Sequence, residues 1–257
     1  MPTYFTSKTF RFQRALAKNN SRAWFADHKA DYEEHLKQPF LRLIADLQEP
    51  LEKISTHYRA DPKPVGGSLF RIHRDTRFSN DKTPYKAWSG ARFYHERIKI
   101  ANTDAAHGRA NAAGGRMPGA TATLQRPGAA IEAPSFYLHI QPGHCFIGGG
   151  LWHPETATQR RIRDFIVENP ESWKAAVHKP AFRKKFTLDD EMLTRAPRGY
   201  PADHELIDDL KRKNFVATTP IDDDVATGPH LLKSVGDGLR GSAPLIDYLC
   251  AALDLEF

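Results

Sequence analysis

The chain has 257 residues, 40% hydrophobic and 26% charged, the balance of a soluble globular protein able to bury one large core or two small ones. No apolar run approaches the ~20 residues that span a bilayer, and MPTYFTSKTFRFQRALAKNN has neither an apolar signal core nor a small-residue cleavage site. These features lead us to expect a cytoplasmic protein without a membrane partner, and the formal charge of +6 suits an anionic partner or simply a solvated surface.

The first quarter reads as helical. Ser7 is placed to cap a helix carrying Phe10 and Leu16 and ending at Asn19-Asn20. A second helix from Ser21 sets Trp24, His28 and Tyr32 on one face. Pro39 opens a third, whose stripe of Phe40, Leu43, Ile44, Leu47, Leu51 and Ile54 demands a core.

After Asp61-Pro-Lys-Pro-Val-Gly-Gly the period changes. Leu69–His73, Ala91–Tyr94, Ile98–Ala101, Phe136–Gln141 and Cys145–Gly148 read as strands, with Pro142-Gly143 turning the last two into a hairpin. Asn102–Ala133 is rich in Ala, Gly, Arg, Thr and Pro and poor in large apolar residues, so a mobile or disordered loop insertion is expected there.

Helices return with Ile162, Phe165 and Ile166 on one face, and again from Asn169-Pro170 through Trp173 and Val177. Ala196–Asp203 reads as a loop, Leu206–Lys213 as a helix, Phe215–Thr219 as a strand, and Leu231–Leu239 and Pro244–Leu253 as two closing helices. Helices, then turn-linked strands, then helices predict a single α+β domain over residues 1–257, mainly an antiparallel sheet with N-terminal and C-terminal helices packed on it.

Several motifs fail in context. His73-Arg74-Asp75 with Asn80 matches a kinase catalytic loop, but no Gly-rich loop, V-A-I-K strand or D-F-G accompanies it. Gly236, Gly238 and Gly241 fit G-x-G-x-x-G, yet only the residues from Ser242 to Phe257 follow, so these glycines are expected to end one helix and admit the next. No metal ligands are assigned: there is no H-E-x-x-H and Asp222-Asp223-Asp224 lacks the Gly and terminal Glu of a calcium loop, while His139, His144 and His153 read as satisfied surface or core histidines, with a site assembled from them as the alternative. Cys145 and Cys250 sit among apolar residues and read as buried thiols.

The dense region is Phe70–Lys86, FRIHRDTRFSNDKTPYK. It holds Arg71, Arg74, Arg77, Lys82 and Lys86 with His73, against Asp75 and Asp81. Its charges are either solvated, or converge on an anion with help from turn N–H groups, or track a nucleic-acid backbone with Phe78, Tyr85 and Trp88 stacking on bases. A second cluster is Arg198, Gly199, Tyr200, Asp203 and His204. A third is Gly148-Gly149-Gly150-Leu-Trp152, where missing Cβ atoms admit a close neighbour or a tight turn.

FRIHRDTRFSNDKTPYK, together with NNSRAWF, SFYLHIQPG, GGGLWHP and PRGYPADH, resembles a bacterial and fungal family catalogued as a domain of unknown function, DUF2461. The resemblance runs from about Phe10 to the helix at Pro244–Leu253 and implies one domain into which the motifs gather. It departs at Asn102–Ala133, which is longer than the family's usual connection, and at Asn80, where members commonly carry Lys. It assigns no activity, cofactor or catalytic residue.

The expectation is therefore binding, or processing, of a small anionic or phosphorylated ligand. Arg71, Arg74, Arg77, Ser79, Lys82, Tyr85 and Lys86, with Trp152, Arg198 and Tyr200, are the candidate ligand-binding residues. His73, Asp75 and His204 are the candidate acid–base groups. The alternatives are a nucleic-acid-binding module, with a basic stripe reaching Arg160, Arg161, Arg163 and Lys211–Lys213, and a non-catalytic interaction scaffold in which Arg74, Asp75, Arg77 and Asp81 form a buried ion-pair network.

Overall fold

The computed structural model describes residues 2–77, 80–98, 122–126 and 129–257. Helix α1 (Ser7–Lys18) begins with a capping box. The cap is Thr6 and not Ser7: its hydroxyl accepts the Lys8 N–H at 3.2 Å while its own N–H donates to Thr9 Oγ1 at 3.0 Å. Ser21 caps α2 (Arg22–Asp27) as expected, accepting the Trp24 N–H. The chain then steps through α3 (Lys29–Tyr32), a π-helical stretch at Glu33–Lys37, α4 (Gln38–Asp46) and α5 (Gln48–Glu52). The apolar stripe of Phe40, Leu43, Ile44, Leu47 and Leu51 is fully buried.

The main sheet has six strands in the order β1-β2-β5-β6-β8-β7, every neighbouring pair antiparallel. They are β1 (Tyr58–Arg59), β2 (Ser89–His95), β5 (Ser135–Ile140), β6 (Cys145–Leu151), β7 (Thr187–Leu188) and β8 (Phe215–Ile221). The hairpin β5–β6 turns where predicted, with Gly143 at φ +75°. Leu69–His73 is extended but forms only isolated bridges, Leu69 to Ala91 and His73 to Tyr85. Of the strand expected at Ile98–Ala101, Ile98 lies in the turn after β2 and the rest falls outside the described residues.

Within the stretch expected to be a loop, β3 (Ala122–Arg126) and β4 (Ala129–Ala133) pair as a two-stranded ribbon. The end of that ribbon is anchored: Glu132 is buried, and its Oε2 accepts the Glu155 N–H at 2.8 Å beside α6 (Thr156–Glu168). Residues 102–121, 127 and 128 lie outside the description.

Past α6 come α7 (Pro170–Trp173), a π-helical stretch at Lys174–His178, α8 (Pro180–Lys185), α9 (Ile207–Leu210) and α10 (Asp223–Ala226). The closing element corrects the expectation of two helices: α11 (Leu231–Ala252) runs unbroken through Gly236, Gly238, Gly241 and Pro244. These glycines are packing surfaces and not helix ends. A Cβ on Gly238 would sit 2.4 Å from Ile147 Cδ1, and one on Gly241 would sit 2.8 Å from Phe186. From the other side, a Cβ on Gly149 would crowd Ile246 and Ser242 at 3.1 and 3.2 Å. Small residues on both surfaces let α11 lie close on β6. Gly148–Gly150 thus belongs to a strand and is no strand-to-helix turn. Gly150, at φ +135°, would place a Cβ 1.9 Å from the Phe215 carbonyl oxygen.

The strand register divides the sheet into two faces. Phe136, Leu138, Ile147 and Ala217 meet α11 and the N-terminal helices in one core that runs from Tyr4 to Leu255. The opposite face carries a smaller cluster of Phe70, Tyr137, Phe146, Trp152 and Val216. The fold is α+β, built on one antiparallel sheet. No described helix is long and apolar enough to cross a membrane.

Candidate functional site

Residues 72–74 and 84–86 form a short two-stranded ribbon off the sheet. Lys86 N donates to Ile72 O at 2.8 Å and Arg74 N to Pro84 O at 2.9 Å. The turn between α1 and α2 clamps this ribbon. The Asn20 side-chain amide bonds both backbone groups of Tyr85, donating to its carbonyl at 2.9 Å and accepting its N–H at 3.0 Å. Phe25 stacks on the Tyr85 ring at 4.1 Å, and His73 packs beside Tyr85 at 5.1 Å. The clamp brings Arg22, the first residue of α2, to the ribbon.

The result is a cavity of about 450 Å3 lined by Arg22, His73, Arg74, Thr76, Lys82, Pro84 and Tyr85. Arg74 is its most structured cation. Its side chain is 13% exposed and its Nη1 donates to Asp81 Oδ2 at 2.9 Å. Its Nε is buried without a partner among the described residues. Asp81 is held in turn by Thr83, whose N–H and hydroxyl both donate to Oδ1, and these bonds keep the Asp81 carboxyl below its ordinary pKa. Lys82 Nζ reaches back to the Thr76 carbonyl at 2.9 Å. Among the described residues, neither Arg22 nor Lys82 has a carboxylate partner.

The fold splits the predicted set. His73, Arg74, Lys82 and Tyr85 meet at the cavity. Arg71 is exposed and lines no part of it. Lys86 is buried on the sheet's second face, donating to Arg71 O at 2.8 Å and lying over the Phe70 and Trp88 rings. Trp152 belongs to that same aromatic cluster. Ser79 and Phe78 fall outside the described residues.

Asp75 and Arg77 form a pair of their own. Arg77 donates through Nε to Oδ1 at 3.0 Å and through Nη2 to Oδ2 at 2.7 Å, with its backbone N–H adding a third bond to Oδ1. Those bonds hold Asp75 down to a pKa of about 2, and with both oxygens engaged it is a poor general base near neutral pH. The Arg77 side chain is 70% exposed while the Asp75 carboxylate it holds is buried, so the pair straddles the surface and is not a fully buried network.

The second cluster lies elsewhere. Tyr200 donates its hydroxyl to Asp164 on α6 at 2.6 Å, and His204 Nδ1 accepts the Leu206 N–H at 3.0 Å. Arg198, Tyr200 and His204 do not line the cavity at Arg74. The cations expected to extend a basic stripe are each engaged. Arg161 pairs with Asp254, Arg160 with Asp164, Lys211 with Asp208 and Lys213 with Glu191, while Arg163 is buried and donates to the Leu210 and Arg212 carbonyls.

His139 and His144 are neighbours, with ring centroids 5.6 Å apart, while His153 packs on Trp152. Among the described residues no three His, Cys, Asp or Glu side chains group to hold a metal. Burial raises the thiol pKa of Cys145 to about 11 and of Cys250 to about 12, which leaves both protonated and unreactive near neutral pH.

A larger cavity, about 530 Å3, opens between Thr187–Asp190, the β5–β6 turn and the end of β8. It is lined by four aspartates, of which Asp189 accepts from Asn214 and the Glu191 N–H, and Asp223 from the Gly143 N–H. With those aspartates and no Lys or Arg among the described lining residues, it is unfavourable for an anion. The smaller cavity is chemically the better site despite its size.

Arg22 and Asn20 are what the residue-by-residue reading missed. Their signal was present, because both sit in NNSRAWF, but nothing local to that motif says which strand it will face.

No match was found among curated proteins or among solved structures. The model of one family, described as a conserved hypothetical protein, matches residues 8–248, and the matched span contains Asn20, Arg22 and the whole of the ribbon. The chain belongs to that family, DUF2461.

Proposed function

We propose that this protein binds a small anionic ligand in the cavity lined by Arg22, His73, Arg74, Thr76 and Lys82. One observation carries the reading: Arg22, Arg74 and Lys82 converge on a single cavity while, among the described residues, Asp81 is the one carboxylate that answers them. Cations held together without matching counter-charge repel one another, and an anion relieves that cost. Arg74 adds direction, because its guanidinium is fixed by Asp81 on one nitrogen and retains a buried, unpartnered Nε–H. The donors sit on a ribbon braced by Asn20 and Phe25, so they are organised before a ligand arrives. We read the site as one for binding, since Asp75 is engaged by Arg77.

The test is calorimetric titration with inorganic phosphate of the wild type and of Arg22→Gln, Arg74→Gln and Lys82→Gln, each checked for a native circular dichroism spectrum. Saturable binding in the wild type, weakened at least about tenfold in each folded variant, is the expected result. Absence of saturable binding in the wild type overturns the reading. Binding of a single-stranded oligonucleotide that falls steeply with salt, unaffected by these variants, would replace it with a nucleic-acid surface elsewhere.

A further inference from the structure

We infer that the cavity selects a phosphate monoester in its doubly charged form over carboxylates and phosphodiesters, a selectivity that rests on the anion-binding reading above. The reasoning begins with charge. Arg22, Arg74 and Lys82 are cationic at any pH near neutrality, and Asp81 offsets one of them. A single negative charge leaves the cavity with an excess cation, whereas a dianion brings it to balance. A carboxylate and a phosphodiester each carry one charge, while a monoester carries close to two at pH 7 because its second ionisation lies near 6.

Donor geometry points the same way. The unengaged donors belong to three separate stretches of chain: the Arg22 guanidinium on α2, Arg74 Nε on the first ribbon strand, and the two remaining Lys82 N–H bonds in the turn. A terminal phosphoryl group offers three equivalent oxygens, one for each direction. A carboxylate offers two in one plane, and a diester loses a second oxygen to its other substituent. Pro84 and Tyr85 complete the lining, and the Tyr85 ring is fixed against Phe25. A volume of about 450 Å3 holds the phosphoryl group and a small organic body.

The test compares methyl phosphate, dimethyl phosphate and acetate by calorimetry on the full chain, at constant ionic strength, from pH 5 to 7.5. At pH 7.5 methyl phosphate is expected to bind at least about tenfold more tightly than either monoanion. His73, Tyr85 and Asp81 face the ligand, so dimethyl phosphate, which stays a monoanion throughout, is titrated in parallel as the reference and the ratio of methyl to dimethyl phosphate affinity is followed. That ratio is expected to fall toward unity as the pH drops below 6. In Lys82→Gln, whose side chain lies in an exposed turn, methyl phosphate is expected to lose affinity while dimethyl phosphate retains most of its own. Equal binding of all three ligands at pH 7.5, or a ratio that ignores pH, overturns the selectivity and leaves anion binding standing. No binding by any of them overturns both.

Discussion

Replacing Arg92 by methionine is expected to stabilise the protein. Arg92 stands on β2 directly across from Tyr137, on the sheet face turned away from α11, and only 3% of it is exposed. Its Nη1 has no hydrogen-bond partner and no carboxylate pairs with it among the described residues. Burial alone lowers the guanidinium from 12.5 to about 10. A base whose pKa is lower in the folded state than in the unfolded one carries its full penalty at every pH below the folded value, so the penalty is present at neutrality. At 1.36 kcal/mol per pH unit this penalty is roughly 3 kcal/mol. Methionine keeps much of the stem's packing and leaves a small void, which returns about 1 kcal/mol. The net gain for Arg92→Met is about 1–3 kcal/mol, a rise of a few degrees in melting temperature for a chain of this size. Urea unfolding at pH 7 with an unchanged m-value is the measurement, and Arg92→Lys is the control, since it keeps the buried charge and gains nothing. A loss of about 1 kcal/mol or more in Arg92→Met would refute the reasoning, because it would mean the guanidinium is neutralised in the folded protein.

His139 is buried with its Nδ1 accepting from the Tyr137 hydroxyl at 2.9 Å and its Nε2 bonded to Gln141 Oε1 at 3.0 Å, and desolvation lowers its pKa to about 4. The unfolded chain therefore takes up a proton first, and stability is lost as the pH falls from 6.5 toward 4, by roughly 3 kcal/mol. His139→Gln is expected to flatten that part of the pH profile of urea unfolding, and an unchanged slope would count against it. Gly150→Ala is expected to prevent folding, seen as insoluble expression, since its Cβ would meet the Phe215 carbonyl oxygen at 1.9 Å. Gly199→Ala, at φ +94° with open space around it, is expected to cost only about 1–3 kcal/mol by thermal unfolding. Arg77→Ala is expected to stay folded and to bind phosphate like the wild type, because Arg77 is exposed and lies outside the cavity; lost binding would place Arg77 in the site.

Composition and periodicity were enough for the fold class because both are local. The stripe from Phe40 to Leu51, the aromatic and β-branched content of Phe136–Gln141 and the Pro142-Gly143 turn each announce their own geometry within a few residues. The errors arose where a local signal has two tertiary meanings. Glycines at 238 and 241 look like helix ends until Ile147 and Phe186 are seen to occupy the space a Cβ would take. Ser7 and Thr6 are equally good caps by type, and only the Thr9 hydroxyl decides between them.

The sequence by itself determined that a dense cationic stretch at residues 70–86 would follow an extended segment at Leu69–His73 in an antiparallel α+β fold, since residue types and turn signals are written into that stretch. Tertiary structure alone decided which of its charges act together. The fold sends Lys86 to the aromatic face and leaves the Arg77 guanidinium in solvent against the buried Asp75 carboxylate, while Arg74 and Lys82 meet Arg22, more than fifty residues earlier. That meeting depends on the Asn20 amide reaching both backbone groups of Tyr85, a contact across 65 residues that no local pattern encodes.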